Sequence, residues 1–342
     1  LAQELNIDGI LSFGVDPGVV TAAYVAEQIG LSFQCSYDVA CILQDKSRFR
    51  QFLKDNNFNV PNAKGYSSKE EALGDTEYYN WPVIVKPVDS AGSKGVTRVD
   101  ELSQLSSAID YALSESHNGY FIIEDFLEKE GNSSDCDSFT VDGELVFCSF
   151  NDQHFDPKAI NPYTPAAFSW PSTMPQWAQE ELRSELQRLM TLLNVKTGVY
   201  NIETRLCKNG KPYIMELAPR GGGNRLSEMM KFVSGQDLID NCVRAAVGDS
   251  IDEIHQPDYD GYWAEIILHS ERDGVFQSIE IDKTVEERFL IEKDIWVKTG
   301  DKVQGFTGAN TTIGTLVLRF NTNEEMICCL SNQETWLKII VL

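Results

Sequence analysis

The stretch YNIETRLCKNGKPYIMELAPRGGGNR, residues 200–225, decides how this sequence is interpreted. Two apolar-rich segments flank Asn209-Gly210, a dipeptide typical of two-residue β-hairpin turns. If the turn has two residues, strand alternation makes Glu203 and Glu216 direct cross-strand partners. The stretch therefore predicts a hairpin that brings two carboxylates face to face.

Carboxylates in that arrangement repel each other unless something lies between them. A proton on one of them or a divalent cation between them would remove the repulsion, and hard oxygen ligands favour Mg²⁺ or Mn²⁺. Arg205 lies on the same face, where it could meet an anion held by that cation. A solvated hairpin that spreads its charges is the alternative, and a bulge at the turn would move Glu216 to the opposite face.

A second candidate site begins at the predicted strand WPVIVKP, residues 81–87, which ends close to Lys86. A lysine on so apolar a strand either extends to solvent or meets an anion. The following loop DSAGSKG, residues 89–95, offers small residues and hydroxyls that suit phosphate oxygens, with the candidates Ser90, Gly92, Ser93 and Lys94. The loop lacks the GxxxxGK[ST] spacing, which disfavours a P-loop enzyme, and an ordinary turn is the alternative.

The segment FIIEDFL, residues 121–127, is an apolar strand that delivers Glu124 into a short connector. Its acid could accept a hydrogen bond from an exocyclic amine, while the connector backbone contacts a planar base. Acids that simply cap the strand end are the alternative.

Arg220 follows Glu216 by four residues and precedes a flexible Gly turn at 221–223. An arginine fork binds carboxylate or phosphate, so Arg220 is a candidate for substrate contact. A loop with solvated arginines before a helix is the alternative.

Periodicity and turn residues predict a mixed chain of helices and strands. Strands are predicted at 7–14, 81–87 and 120–123, and hairpins at 139–147 (around Asp142-Gly143) and 200–217. Helices are predicted at 16–29, at 44–56, from 101 with Asp100 as N-cap, at 177–193, and from the Gly turn to 247. Residues 161–175 are predicted to be a loop, and 261–342 a strand-rich region that includes Cys328 and Cys329.

Composition limits the partners and the compartment. The chain has 342 residues and a net charge of −23, which argues against nucleic acid and anionic membranes as partners. No apolar run is long enough for a membrane helix. The eight cysteines are scattered without CxxC pairs, which disfavours structural zinc and predicts reduced thiols and a cytoplasmic location.

In their order and spacing, these motifs resemble those of the ATP-grasp superfamily. The resemblance rests on Asp45-Lys46, Val85-Lys86-Pro87, the loop 89–95, Glu124-Asp125-Phe126-Leu127, Glu203, and Glu216-Leu217-Ala218-Pro219-Arg220. It implies an α+β ATP-grasp fold in four parts. These are a truncated α/β N-terminal domain with a linker helix (1–67), a small subdomain (68–127), a large subdomain with the metal site (128–250), and a strand-rich C-terminal region closing the active site (251–342).

The resemblance also implies ligands and roles. ATP and Mg²⁺ (or Mn²⁺) are the implied cofactors. The resemblance assigns metal binding to Glu203 and Glu216, and catalysis to Arg220 and Lys94. It assigns cofactor binding to Lys46, Lys86, Ser90, Gly92, Ser93, Glu124, Asp125, Phe126 and Leu127. Two positions depart from the pattern or leave it open. Many members have Asn where this chain has Ala218, so water or another group must take the place of that metal ligand. The acid that contacts the ribose is open, with Glu128, Glu130 and Asp135 as candidates.

The branch that the chain resembles most is that of the carboxylate–amine ligases, which includes L-amino-acid ligases and carbamoyl-phosphate-synthase-like enzymes. The implied activity is formation of an acyl phosphate from a small carboxylate and ATP, followed by attack of an amine. A homodimer is compatible with this interpretation. Phosphorylation of bicarbonate or carbamate is an alternative activity, and a non-catalytic ATP-binding regulatory module is an alternative of another class.

Overall fold

A computed structural model describes residues 1–90 and 92–342. The chain begins with helices α1 (Ala2–Leu5), α2 (Pro17–Ile29), α3 (Tyr37–Gln44) and α4 (Lys46–Asp55). The predicted helix at 16–29 is confirmed. The strand predicted at 7–14 is wrong, because among the described residues that segment pairs with no strand and forms only an isolated bridge between Phe13 and Gly221. The helix predicted at 44–56 is confirmed as α4, which begins at Lys46 because the Asp45 carboxylate accepts from the Arg48 amide and caps it.

A four-stranded antiparallel sheet, which we call the small sheet, follows in the order β1-β4-β2-β3. Its strands are β1 (Ala63–Tyr66), β2 (Val83–Pro87), β3 (Thr97–Val99) and β4 (Phe121–Asp125), and its helices are α5 (Lys69–Gly74) and α6 (Leu102–Ser114). Val83 and Val85 face the apolar core with α6, which leaves Lys86 and Glu124 on the opposite face. The N-cap of α6 is Glu101 rather than Asp100.

A second antiparallel sheet, the large sheet, has the order β10-β9-β5-β6. It contains β5 (Ser134–Val141), β6 (Glu144–Cys148), β9 (Gly198–Leu206) and β10 (Pro212–Ala218), with α7 (Gln176–Leu192) packed on one face. The helix predicted at 177–193 is confirmed as α7, and its buried residues recur at helical spacing: Ala178, Leu182, Leu186, Leu189 and Met190. The hairpin at Asp142-Gly143 is confirmed, with both residues at positive φ.

The β9–β10 hairpin differs from the predicted one at its turn. Gly210 adopts φ 74° and its amide donates to the carbonyl of Cys207, so the loop has three residues instead of two. The pairing near the turn is therefore shifted by one residue. A bulge at Met215 restores the register, and Glu216 pairs directly with Glu203 as predicted.

The rest of the chain forms two further sheets. One has the order β13-β15-β11-β8-β7, and the other the order β14-β12-β16. Their strands are β7 (Asp152–Phe155), β8 (Pro165–Trp170), β11 (Tyr262–Leu268), β12 (Gly274–Ile281), β13 (Leu290–Ile295), β14 (Lys302–Val303), β15 (Gly314–Phe320) and β16 (Leu337–Val341). The helices are α8 (Leu226–Ser234), α9 (Leu238–Val247), α10 (Lys283–Phe289), α11 (Asn323–Ser331) and α12 (Gln333–Trp336), and short 3₁₀ turns lie at Thr76–Tyr78 and Ala309–Thr311.

Two predictions in this region are wrong. Residues 161–175 include strand β8, because Phe168 and Trp170 are core residues that pair with β11. Cys328 and Cys329 lie in helix α11 rather than in a strand, since Thr322 caps the segment and Met326 and Cys329 face the core at helical spacing.

Candidate active site

A cavity of about 600 Å³ is lined by residues from the small sheet, the large sheet, the start of α2 and the turn at 308–310. It brings together the residues predicted to act in catalysis, cofactor binding and metal binding: Lys46, Lys86, Ser90, Gly92, Ser93, Lys94, Glu124, Asp125, Phe126, Leu127, Glu203, Glu216 and Arg220. Of the three candidates for the acid on the ribose, Asp135 lines the cavity, whereas Glu128 and Glu130 are not among its lining residues. Ala91, in the predicted loop, lies outside the described residues. The cavity is therefore the candidate active site.

One wall of the cavity is a buried ion-pair network centred on Glu124, which is 1% exposed. Its Oε2 lies 2.7 Å from Lys86 Nζ and its Oε1 lies 2.9 Å from Arg50 Nε. Burial opposes ionisation of Glu124, but Arg50 and Lys86 outweigh it and lower its pKa to about 2. Burial lowers the pKa of Lys86, and Glu124 acts in the opposite direction. Sequence reasoning missed Arg50, whose place in α4 gives no local signal of a buried partner.

Lys46 joins this wall to the acidic part of the cavity. It is the first residue of α4, and its ammonium donates to the carbonyl oxygen of Ser90 at 3.0 Å. The same ammonium lies 3.5 Å from Oε1 of Glu216. Lys46 therefore connects the small-residue loop with the hairpin of the large sheet.

The loop at 89–95 and the connector after β4 border the cavity. Gly92 and Ser93 both have positive φ, and the Ser93 hydroxyl donates to the Tyr163 carbonyl at 3.2 Å. Lys94 is exposed. The carboxylate of Asp125 is engaged by the amide and side chain of Asn80, at 2.9 and 2.7 Å.

The two residues after Asp125 are held by arginines. The Arg98 guanidinium lies over the Phe126 ring, 4.4 Å from its centroid. The Leu127 carbonyl accepts from Arg205 at 3.3 Å. The connector that was predicted to contact a base is therefore anchored on both sides.

Three carboxylates form a row across adjacent strands of the large sheet. Glu216 on β10 pairs with Glu203 on β9, which in turn pairs with Asp135 on β5. Burial opposes ionisation of Glu216, but Lys46 and Arg220 outweigh it and lower its pKa. Burial and the neighbouring Glu203 raise the pKa of Asp135 to about 7. The row places Asp135 beside Glu203, a position that the sequence did not reveal because the β5–β9 pairing had not been predicted.

Arg220 lines the same cavity as this row and is 9% exposed. Its guanidinium donates to Asp16 at 2.7 and 2.8 Å and to the Gly221 carbonyl at 3.2 Å. Asp16 comes from the start of α2, more than two hundred residues earlier in the chain. The sequence around Asp16 indicates only the beginning of a helix, so this contact could not be predicted from it.

The described residues contain no group of three or more His, Cys, Asp or Glu side chains arranged to hold a metal ion on their own. A cation at Glu203 and Glu216 would need further oxygens, from another side chain, a ligand or water. Within the described part of the chain, no helix combines the length and apolar character that a membrane crossing requires.

Comparisons with known proteins agree on the fold. Residues 79–228 match the family model of the ATP-grasp domain. The C-terminal section of the carbamoyl phosphate synthase large chain of Aquifex aeolicus is 26% identical over 215 residues, 62% of this chain and 38% of that protein. The large chain of Halomonas eurihalina is 25% identical over 281 residues, 81% of this chain and 23% of that protein. The chain thus spans less than two-fifths of the length of these two relatives.

Solved structures resemble the whole chain. The L-amino acid ligase of Bacillus licheniformis superposes with a TM-score of 0.82 and 20% identity, covering 100% of this chain and 82% of that one. Phosphoribosylglycinamide synthetase of Anaerococcus prevotii gives a TM-score of 0.72 and 18% identity, covering 100% and 84%. The predicted α+β ATP-grasp fold is confirmed.

Proposed function

We propose that this chain, whose residues 79–228 match the ATP-grasp domain model, is an ATP-dependent carboxylate–amine ligase of the ATP-grasp superfamily. Its ligands would be ATP, Mg²⁺ or Mn²⁺, a small carboxylate and an amine. We also propose the four-part division at 1–67, 68–127, 128–250 and 251–342, in which the first three parts border the cavity together with the turn at 308–310.

The observation that supports this proposal best is the arrangement of charge inside one cavity. The cations Lys46, Lys86 and Arg50, which form a cationic wall, line the same cavity as the paired carboxylates of Glu203 and Glu216, and Lys46 lies 3.5 Å from Glu216. A nucleoside triphosphate with a divalent cation has the complementary distribution, since its phosphates need cations and its metal needs hard oxygens.

Nucleotide binding would use the small sheet and its connector. Lys46 and Lys86 would neutralise phosphate oxygens, and the loop containing Ser90 and Ser93 would cover them. Glu124 already engages Lys86 and Arg50, so we assign it the additional role of keeping both cations in place. The side chain of Asp125 is engaged by Asn80, so its contribution would come from its backbone.

The donor set of the acidic row fits a hard divalent cation. Glu203 and Glu216 offer carboxylate oxygens from neighbouring strands, and Mg²⁺ commonly combines one or two such carboxylates with substrate phosphates and water. When bound, the cation would neutralise charge on the transferring phosphoryl group.

The reaction we propose has two steps. An oxygen of the substrate carboxylate attacks the γ-phosphorus, the bond to the β,γ-bridging oxygen breaks, and ADP leaves. The amine nitrogen then attacks the acyl carbon, the bond between that carbon and the phosphate oxygen breaks, and the nitrogen loses a proton. Arg220 would hold the carboxylate and then the acyl phosphate, with Lys94 closing over the phosphates, so the chain acts chiefly by positioning and charge neutralisation.

Phosphorylation of bicarbonate is a second candidate, because the curated relatives described above are carbamoyl phosphate synthase large chains. ADP release that depends on bicarbonate alone would identify that activity. Nucleotide binding without ADP release in any substrate mixture would instead indicate a non-catalytic module.

The deciding experiment is a screen for ADP release over pairs of amino acids and small acids, with hydroxylamine added to trap an acyl phosphate. Glu203→Gln and Glu216→Gln should each abolish release, while Glu144→Gln, an exposed acid on β6 of the same sheet, serves as the matched control. Near-normal release from both cavity variants would refute the assignment. Lys86→Ala should weaken nucleotide binding in calorimetry, and unchanged affinity would refute its role.

A further inference from the structure

On one face of the large sheet, a second row of side chains lies next to the row of carboxylates. Each member of the second row is two residues away from a carboxylate on the same strand and therefore faces the same side of the sheet. The row consists of Ala218 on β10, Asn201 on β9 and Asp137 on β5. Asn201 is the central member of this second row. It lines the cavity.

The amide of Asn201 has a defined orientation. Its Nδ2 donates to Oδ1 of Asp135 at 2.8 Å and to Oδ1 of Asp137 at 3.2 Å, so both of its hydrogens are used on β5. Since the amide oxygen lies on the other side of the group, Oδ1 faces away from β5. Among the described residues it has no hydrogen-bond donor, and it is not sealed from the cavity.

The residue opposite Asn201 on β10 offers no polar side-chain group. Ala218 is its direct partner on β10 and presents only a methyl group. Asp137 is 0% exposed and accepts hydrogen bonds from the Gly222 amide at 2.9 Å and from the Ser227 hydroxyl. Because these bonds fix its carboxylate, the hydrogen bond from Asn201 to Asp137 also fixes the Asn201 side chain. The amide oxygen is therefore oriented before any ligand arrives.

We propose that Asn201 Oδ1 is the third protein oxygen of the divalent-cation site, beside Glu203 and Glu216. This inference rests on the proposed function, because it requires that the two glutamates bind a cation. It assigns Asn201 a ligand role in addition to its hydrogen bonds with the aspartates. A purely structural role would require those hydrogen bonds alone.

The test is a titration of the full chain with Mn²⁺ in the presence of ADP, followed by electron paramagnetic resonance. Electron spin-echo modulation in D₂O counts the water molecules on the bound Mn²⁺. Asn201→Ala should weaken Mn²⁺ binding about tenfold and add one water to the count. Exchanging the two side chains in Asn201→Ala/Ala218→Asn should restore most of the affinity and remove the extra water.

Two further variants keep the result interpretable. Asn201→Ser retains a hydroxyl donor for the aspartates but lacks the amide oxygen, so it should show the same additional water even if Asn201→Ala does not fold. Asn209→Ala in the turn of the same hairpin is the matched control and should bind Mn²⁺ like the parent chain.

Unchanged affinity and water count in Asn201→Ala or Asn201→Ser would overturn the inference, and so would weaker binding without an added water. The proposed function has its own readout in the same experiment. If Glu203→Gln and Glu216→Gln also bind Mn²⁺ normally, the metal site itself is wrong. If only those two lose Mn²⁺, the site stands and Asn201 is not a ligand.

Discussion

Replacing Glu124 by Gln removes the carboxylate that pairs with Arg50 and Lys86 in the buried wall of the cavity. The side chains of Glu124, Arg50 and Lys86 are 1%, 5% and 12% exposed, so water screens them poorly. The isosteric amide keeps the shape of the side chain but leaves two cations side by side in a low-dielectric setting. We expect the variant to fold with markedly lower stability.

Two routes give a similar magnitude for this loss. Breaking a buried ion pair by removing one partner typically costs about 3–5 kcal/mol. Independently, the pKa of Glu124 falls from 4.5 to about 2 on folding, which corresponds to about 3 kcal/mol. Part of the cost is relieved because burial lowers the pKa of Lys86 and the substitution removes Glu124, which opposes that shift. We therefore expect a loss of about 3 kcal/mol at pH 7.

The pH dependence has a definite sign. A carboxyl group whose pKa is lowered by folding stabilises the native state above its unfolded pKa and loses that contribution as the pH falls through its folded pKa. The difference between the parent chain and Glu124→Gln should hence be full above about pH 5 and shrink between pH 4.5 and pH 2.

The assay is urea denaturation at pH 7 and pH 3, followed by circular dichroism. Glu144→Gln is the control, and Lys86→Met/Glu124→Gln should be more stable than Glu124→Gln because it removes one of the unpaired cations. A loss below 1 kcal/mol at pH 7, or an equal loss at both pH values, would show that the network does not act as a buried ion pair.

Three further predictions concern other buried groups. Burial raises the pKa of Glu265 although Arg225 opposes the shift, and neither carboxylate oxygen has a hydrogen-bond partner among the described residues. Glu265→Gln should therefore stabilise the chain at pH 8 in urea denaturation. The gain in stability should shrink toward pH 5 by at most about 1.4 kcal/mol per pH unit. Asp16→Asn deprives the buried Arg220 of its carboxylate and should cost about 2 kcal/mol and speed amide exchange at 17–29. In Gly222→Ala the new Cβ would lie 2.8 Å from Asn201 Nδ2, so we expect a loss of about 1–3 kcal/mol in urea denaturation.

Each of these predictions has a distinct refutation. A pH-independent effect of Glu265→Gln would mean that this carboxyl group titrates normally in the folded chain. Unchanged exchange in Asp16→Asn would show that the ion pair does not anchor α2. Gly223→Ala is the matched control for Gly222→Ala, because a Cβ there meets no atom within 4 Å, and equal stability of the two variants would contradict the steric argument.

Local patterns in the sequence predicted much of the site. Lys86 shares a strand face with Ile84, as strand alternation requires, and α7 buries the apolar stripe that its periodicity indicated. In both cases the decisive information lies within a few residues of chain. Hydrophobic periodicity and turn residues are signals of that range, which is why they succeeded here.

Contacts between segments that are distant in the sequence could not be predicted from local patterns. Arg50 reaches Glu124 from a helix, and Asp16 reaches Arg220 across two hundred residues. Nothing within either segment distinguishes these side chains from solvated ones. Their partners follow only from the packing of whole elements, and that packing depends on pairings such as β5 with β9 that no local pattern reports.

The β9–β10 hairpin departs from the predicted geometry in two places, and the two departures cancel each other. The loop at Asn209-Gly210 has three residues, which by itself would turn Glu216 away from Glu203, and the extra residue Met215 turns it back. The bulge also frees the Met215 carbonyl, which accepts from Arg50 Nη1 at 2.8 Å. The residue that restores the carboxylate pair is thus the one that anchors the cationic wall, so the metal-binding and phosphate-binding halves of the proposed site depend on the same irregularity in β10.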